Sequence, residues 1–369
     1  MASGFAQWGN DLHTGRKSYN IVGRRRIWYI IASCLVIGSG LLLLTKGLNP
    51  GIEFRGGSQF TITGISTTAQ QPAVDAVTSV SPNEAARIST VGTNALRVQT
   101  ANLSNPQVEK VRDALAVAYG VPVGDVASSF IGPSWGADVS SKAITGLIVF
   151  LALVSVVMTI YFRAWRMAVA ALLALAHDLI VTVGVYALVG WEVTPATAIG
   201  FLTILGYSIY DTVVVFDKVR ENTNGVLNQS RATYAEMANL AVNQTLVRSI
   251  NTSVVALLPV SAILMVGTFI LGPGTLRDIS LALFVGMAIG TFSSIFLATP
   301  LEVTLREREP AMAAHTKRIR ELRARAAGAD PSLPNAALVG TTAAYGAHLL
   351  PGQHLGTASQ PKRRKSGRK

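Results

Sequence analysis

The sequence predicts an α-helical polytopic membrane protein with six transmembrane helices and one extracytoplasmic α/β domain between spans 1 and 2. Three observations carry this reading. Half of the 369 residues are hydrophobic and only 14% are charged, with a mean hydropathy of +0.40, which is too apolar for an ordinary soluble domain of this size. Six apolar runs approach or exceed the roughly 20 residues that a helix needs to cross a hydrocarbon core about 30 Å thick. One long segment between the first two runs has nearly balanced charge and an alternating pattern.

Residues 1–26 form a basic segment with Arg16, Lys17 and the cluster Arg24, Arg25 and Arg26. The first apolar run, 27–44, is read as a span occupying 27–45. It is too long for a signal-peptide core and no small-residue cleavage site follows, so it is expected to be retained. Cys34 is the single cysteine and lies in this span, so it forms no intrachain disulfide.

Residues 46–140 are long enough for a small domain. Strands are predicted at 58–65, 87–91, 95–99 and 125–131, a weak helix at 67–80 and an amphipathic helix at 105–119. Strands interleaved with two helices imply a ferredoxin-like α/β sandwich; the pattern leaves the strand order open.

Residues 141–301 hold the other five spans, at 143–162, 167–189, 195–216, 250–271 and 275–298. Pro259 lies in the fifth, where neighbouring helices can satisfy the freed backbone groups. Arg163 and Arg166 follow the second span and Lys218, Arg220 and Arg231 the fourth, on the same side as the N-terminal cluster and the tail. The positive-inside rule therefore predicts cytoplasmic termini. The net charge of +12 belongs to that face rather than to a nucleic-acid-reading domain.

Residues 302–369 read as a basic cytoplasmic tail. Positions 302–327 are rich in Arg, Glu and Ala and suit a continuing helix, whereas 328–360 have a disorder-type composition. The terminal PKRRKSGRK suits anionic lipid headgroups. It lacks the interleaved aromatics of a nucleic-acid binder.

The informative residues lie in the apolar runs. Asp211 interrupts the fourth; a carboxylate at membrane depth is costly and normally faces a protein interior or a water-filled path. Thr203 and Tyr207 precede it at four-residue spacing, and Asp178, Thr182 and Tyr186 repeat the pattern on the third span. Arg248 opens the fifth, followed by Asn251 and Thr252. An interior proton or ion route is one reading, because burial disfavours a carboxylate's charged form and lets it load and release a proton. A structural charge cluster is the other. Function is favoured for Asp211. Both readings stand for Asp178, and for Arg248, which could snorkel to headgroups. His177 is read as a packing residue, and Asp217, Lys218, Arg220 and Glu221 as an interfacial cluster. Gly286 and Gly290 form a GxxxG pair, read as packing. No metal-ligand spacing, nucleophile elbow or Walker motif occurs, so neither catalysis nor a cofactor is expected.

Several stretches carry a resemblance. GIEFRGGSQF at 51–60, FIGPSWG at 130–136, GYSIYDTVVVFDKVREN at 206–222 and TLVRSINTS at 245–253 closely resemble the bacterial SecF family of protein-export membrane proteins, over about residues 19–305. The resemblance implies an RND-superfamily half, pairing with SecD, association with the SecYEG channel and a YajC-type accessory protein, and unfolded preproteins as substrate. It also implies use of the proton-motive force late in translocation, in the bacterial plasma membrane. Asp211 and Arg248 then fall at the family's relay acid and arginine, and Asp178 in its third-span His-Asp pair. Glu53 stands where many members have Asp. Two alternatives compete: an RND-type exporter half for lipids or small molecules, and a purely structural translocon subunit.

Overall fold

The computed structural model describes residues 4–82, 84, 86–91, 94–271 and 274–327. Among them, six helices are long and apolar enough to cross a membrane. These are α2 (Arg25–Thr45), α6 (Pro133–Phe162), α7 (Trp165–Val189), α8 (Pro195–Thr223), α9 (Tyr234–Val266) and α10 (Thr275–Ser293). The sixth span runs on through a π-helical turn, Ser294–Ala298, into α11 (Thr299–Glu307). Spans three, four and six are the inner ones: 56%, 44% and 50% of their apolar stretches are buried, against 11%, 6% and 11% for the first, second and fifth. Apolar side chains on the outer three, such as Ile148, Leu153 and Val255, point outward, as lipid-facing positions require.

The segment between α2 and α6 folds as predicted in kind. Strands β2 (Gly57–Ile62), β3 (Arg87–Val91), β4 (Ala95–Thr100) and β5 (Val126–Ile131) form an antiparallel sheet of order β3-β4-β2-β5. With α4 (Gln71–Val80) and α5 (Asn105–Tyr119) in sequence between them, this is the β-α-β-β-α-β ferredoxin-like arrangement. Phe60, Ile62, Leu96 and Val98 alternate inward and meet Ala73 and Val77 of α4 and Val111 and Leu115 of α5. Helix α5 starts at a Ser104–Gln107 capping box and ends at Gly120 in the left-handed region.

A short connection ties this domain to the bundle. Helix α3 (Ile52–Arg55) and Gly56 lead into β2. At Gly57, φ is +145° and an added Cβ would lie 2.3 Å from the Thr100 carbonyl oxygen. Only glycine fits there. Just before it, β1 (Asn49–Pro50) pairs in parallel with β6 (Glu192–Val193), the turn joining α7 to α8. The Gly51 amide donates to the Val193 carbonyl at 2.8 Å, and Gln99 Nε2 to Glu192 Oε1 at 3.0 Å.

At the opposite end, the sequence boundaries need correcting. Helix α9 begins sixteen residues before the predicted fifth span, because Thr233 and Glu236 form a capping box and Ala238, Ala241 and Val242 are core. An N-terminal helix, α1 (Gly4–His13), packs on α9. Asn239 and Asn243 of α9 accept from the backbone amides of Tyr19, Ile21 and Val22. Residues 302–327, read as a continuing helix of the tail, are helical in α11 and α12 (Pro310–Ala327) apart from Arg308 and Glu309 between them, while Glu302 is core rather than tail. The terminal basic run lies outside the described residues.

Candidate functional site

The third, fourth and sixth spans bury two acids among serines. Asp178 on α7 is fully buried and Asp211 on α8 is 4% exposed. Ser208 of α8 donates to Asp178 Oδ2 at 2.6 Å and Ser293 of α10 to the same oxygen at 2.8 Å. Ser249 of α9 donates to Asp211 Oδ1 at 2.8 Å, and Ser294 donates to Asp211 Oδ2. The two acids are thus linked through Ser293 and Ser294, which are consecutive in the chain.

Consecutive residues in an α-helix point about 100° apart. Here the second of them begins the π-helical turn, a local widening that often marks functional sites. Close approach of the sixth span to α8 brings the partners together. An added Cβ at Gly286 would lie 2.2 Å from Ile204 Cδ1, and at Gly290, 3.2 Å from Ser208 Cβ. The GxxxG pair therefore serves packing within the chain, and the packing it serves is that of the acid cluster.

Of the predicted polar stripes, part lies inside the cluster and part outside. Thr182 is buried, but its hydroxyl donates to the Asp178 carbonyl of its own helix. Tyr186 is buried near the end of the bundle beside the α/β domain and donates to the Asp278 carbonyl at 3.4 Å. Tyr207 reaches Ser253 Oγ at 3.2 Å, which also accepts from Thr291 at 2.7 Å. Thr203 is exposed and donates to the Ile199 carbonyl of its own helix. The reason is helical drift: eight residues at about 100° each leave Asp211 about 80° round from Thr203.

The fifth span contributes a different face from the one expected. Arg248 and Asn251 are exposed and Thr252 donates to the Arg248 carbonyl. It is Ser249, one position on, that turns inward to Asp211. No ion pair to Asp211 occurs among the described residues. His177 is buried with Nδ1 3.1 Å from Asp178 Oδ1, so it belongs to the cluster rather than to packing alone. Its Nε2 has no partner among the described residues.

Sequence reasoning missed Ser208, Ser249, Ser293 and Ser294. Serine in an apolar helix is common, and four of them give no signal until the helices are brought together. No group of three or more His, Cys, Asp or Glu side chains that could hold a metal occurs among the described residues. The cluster has the parts for reversible protonation. A serine hydroxyl donates to a carboxylate and, rotated, accepts from a carboxylic acid, so the same serines can bond either form of each acid.

Comparisons with known proteins agree with this architecture. Residues 113–308 match the model of the protein export membrane protein SecD/SecF C-terminal region, and residues 41–63 match the SecD/SecF GG motif. The chain is 44% identical over 360 residues to the protein translocase subunit SecF of Streptomyces coelicolor, covering 98% of this chain and 96% of that one. It is 43% identical to the SecF subunit of Mycobacterium tuberculosis strain H37Rv, covering 84% and 72%. The crystal structure of SecDF, a translocon-associated membrane protein from Thermus thermophilus, superposes with a TM-score of 0.69 at 31% identity, covering 79% of this chain. The chain spans 39% of that fused protein's length. Matched along nearly its whole length and built on the same six-span plan, the chain belongs to the SecD/SecF family of protein-export membrane proteins.

Proposed function

We propose that this chain is a SecF-type translocase subunit that pairs with a SecD-type half and couples proton movement through Asp211 to late steps of preprotein translocation. The observation that carries this is the serine cluster: two buried carboxylates, neither bonded to an arginine or lysine among the described residues. An isolated buried charge is costly, and a proton removes that cost. The fused relative from Thermus thermophilus, a protein translocase subunit SecDF, supports pairing with SecD. Arg248 and Asn251 lie exposed beside the cluster, where a second half could supply their partners.

The same reading places the protein in the bacterial plasma membrane with both termini cytoplasmic. It gives the chain SecYEG and a YajC-type protein as neighbours, unfolded preprotein as substrate and anionic lipid as the contact of the basic tail. A proton crossing the membrane delivers about 2.3 kcal/mol per 100 mV, enough to repack a bistable helix interface.

Inverted vesicles carrying the chain with its partner half provide the test. Asp211→Asn should abolish gradient-stimulated release of a stalled preprotein while leaving release without a gradient unchanged. Full stimulation in the variant would refute the coupling.

A further inference from the structure

The serine cluster accounts for Asp178 and Asp211 but not for a third acid in the bundle. Glu302 on α11 is 1% exposed. Tyr234, the first residue of α9, donates to its Oε1 at 2.6 Å. Its Oε2 has no partner among the described residues. One turn earlier on the same helix face, Thr299 is fully buried and its hydroxyl is likewise unpartnered.

The charged groups around this carboxylate are Arg306 and Glu309 at the α11–α12 junction and Arg166 at the start of α7. They engage one another instead: Arg166 and Arg306 both reach Glu309 Oε1 at 2.6 Å. Tyr234 is therefore the one side chain bonded to Glu302 among the described residues.

Position along the sixth span gives this pair a meaning. Glu302 follows Ser294, the partner of Asp211, by about 12 Å at 1.5 Å per residue, and Thr299 lies between them. From Thr275 to Glu302 is about 40 Å, beyond a hydrocarbon core of about 30 Å. Glu302 thus sits inside the protein at the end that carries the basic segments. Buried polar atoms without a protein partner are ordinarily met by bound water. Ser294, Thr299 and the Tyr234–Glu302 pair follow one another along the sixth span, with hydroxyls able to donate to or accept from such water.

We propose that Glu302, held by Tyr234, is a second proton-binding station that receives protons from Asp211 by way of Thr299 and bound water and releases them to the cytoplasm. It rests on the proton-coupled reading of Asp211. The step balances simply: Glu302 gains a proton as Asp211 loses one, becomes a neutral acid, and returns the proton to bulk water beside Arg166, Arg306 and Glu309. No bond between heavy atoms changes. Tyr234 is a positioning residue; by engaging Oε1 it leaves Oε2 as the oxygen that takes the proton. A purely structural Glu302 would only pin α11 to α9.

The test uses the full chain with its partner half in vesicles. Glu302→Gln keeps the shape and still accepts from Tyr234 but cannot titrate. Gradient-driven preprotein release is followed against pH on the side of the termini, alongside infrared difference spectra after a pH jump. Glu302→Gln should slow gradient-driven release at least tenfold and remove one carboxylic C=O band; Glu302→Asp should restore both in part. Unchanged release and spectrum in Glu302→Gln, with stimulation lost in Asp211→Asn, would overturn this proposal alone. Unchanged release in Asp211→Asn would overturn the parent reading. If Glu302→Gln does not fold, Thr299→Val, which keeps the shape and removes the hydroxyl, is followed instead, and unchanged gradient-driven release in a folded Thr299→Val protein would overturn the proposal.

Discussion

Replacing Gly286 by alanine tests the contact on which the acid cluster depends. The new Cβ would lie 2.2 Å from Ile204 Cδ1 and 2.7 Å from both Cγ1 and Cγ2, against the 3.5–4.0 Å or so of ordinary carbon contact. Rotating Ile204 cannot relieve all three, since Cγ1 and Cγ2 are both fixed to its own Cβ. The sixth span must therefore move from α8 by about 1 Å, and overpacking of this kind costs roughly 1–3 kcal/mol. The displacement reaches Gly290 one turn on, where Ser208 Cβ and Asp178 Oδ2 lie 3.2 and 3.6 Å from the site of an added Cβ. Ile204→Ala removes the colliding atoms and alone costs about 2–5 kcal/mol by leaving a cavity. In the double variant the alanine methyl enters that cavity, so the combined loss should fall short of the sum by about 1–2 kcal/mol. Unfolding in mixed micelles, followed by circular dichroism as denaturing detergent is titrated, measures all four states. Strict additivity, or a Gly286→Ala protein within about 0.5 kcal/mol of the parent, would refute the close approach.

The α/β domain offers two further tests. Gly57→Ala puts a side chain at φ +145° against the Thr100 carbonyl; strain alone costs about 1–3 kcal/mol, so hydrogen exchange at the β2 and β4 amides should accelerate at least tenfold. Tyr119 donates to the Ala69 carbonyl at 2.6 Å, and burial raises its hydroxyl above the ordinary value of 10. The folded state thus holds that proton more tightly than the unfolded one, so the contribution is full below about pH 10 and falls as pH rises beyond it. Tyr119→Phe should lose about 1 kcal/mol at neutral pH and show a flatter alkaline decline in α5 protection; an unchanged alkaline limb would count against the assignment.

The spans were legible in the sequence because lipid imposes a one-dimensional rule, a long apolar run, and their approximate positions follow from it. The α/β domain was legible because alternation and turn chemistry are local. What escaped was whatever depends on a neighbour. The apolar run of the fifth span starts at Ile250, yet its helix begins at Tyr234, and the stretch before the run is covered by α1, α11 and α12 rather than by lipid. Glu302 was read as tail because a charged residue after an apolar run resembles an interface; its burial comes from Tyr234, 68 positions away. Periodicity picked out Arg248 by its charge, while the inward residue is the inconspicuous Ser249. Asp211 was found by its cost in lipid, and its partners were not, since a serine costs little anywhere.

The α7–α8 hairpin joins the two halves of the molecule. Its two helices carry Asp178 and Asp211 near mid-length, and the turn between them, Glu192–Val193, is paired to β1 at the base of the four-stranded sheet. The link between the helices is five residues long, 190–194, and both its flanks are fixed. Tyr186 packs edge-on against Trp191 and Phe201, and Thr194 caps α8 while donating to Asp278 Oδ2 at 3.1 Å. There is little slack in such a turn. A change in the hydrogen bonding of either acid that tilts α7 against α8 must therefore appear at β6, and through the Gly51–Val193 and Gln99–Glu192 bonds at the base of the sheet. Packed interfaces have discrete arrangements rather than continuous ones, so the coupling proposed above would act as a step of the whole hairpin.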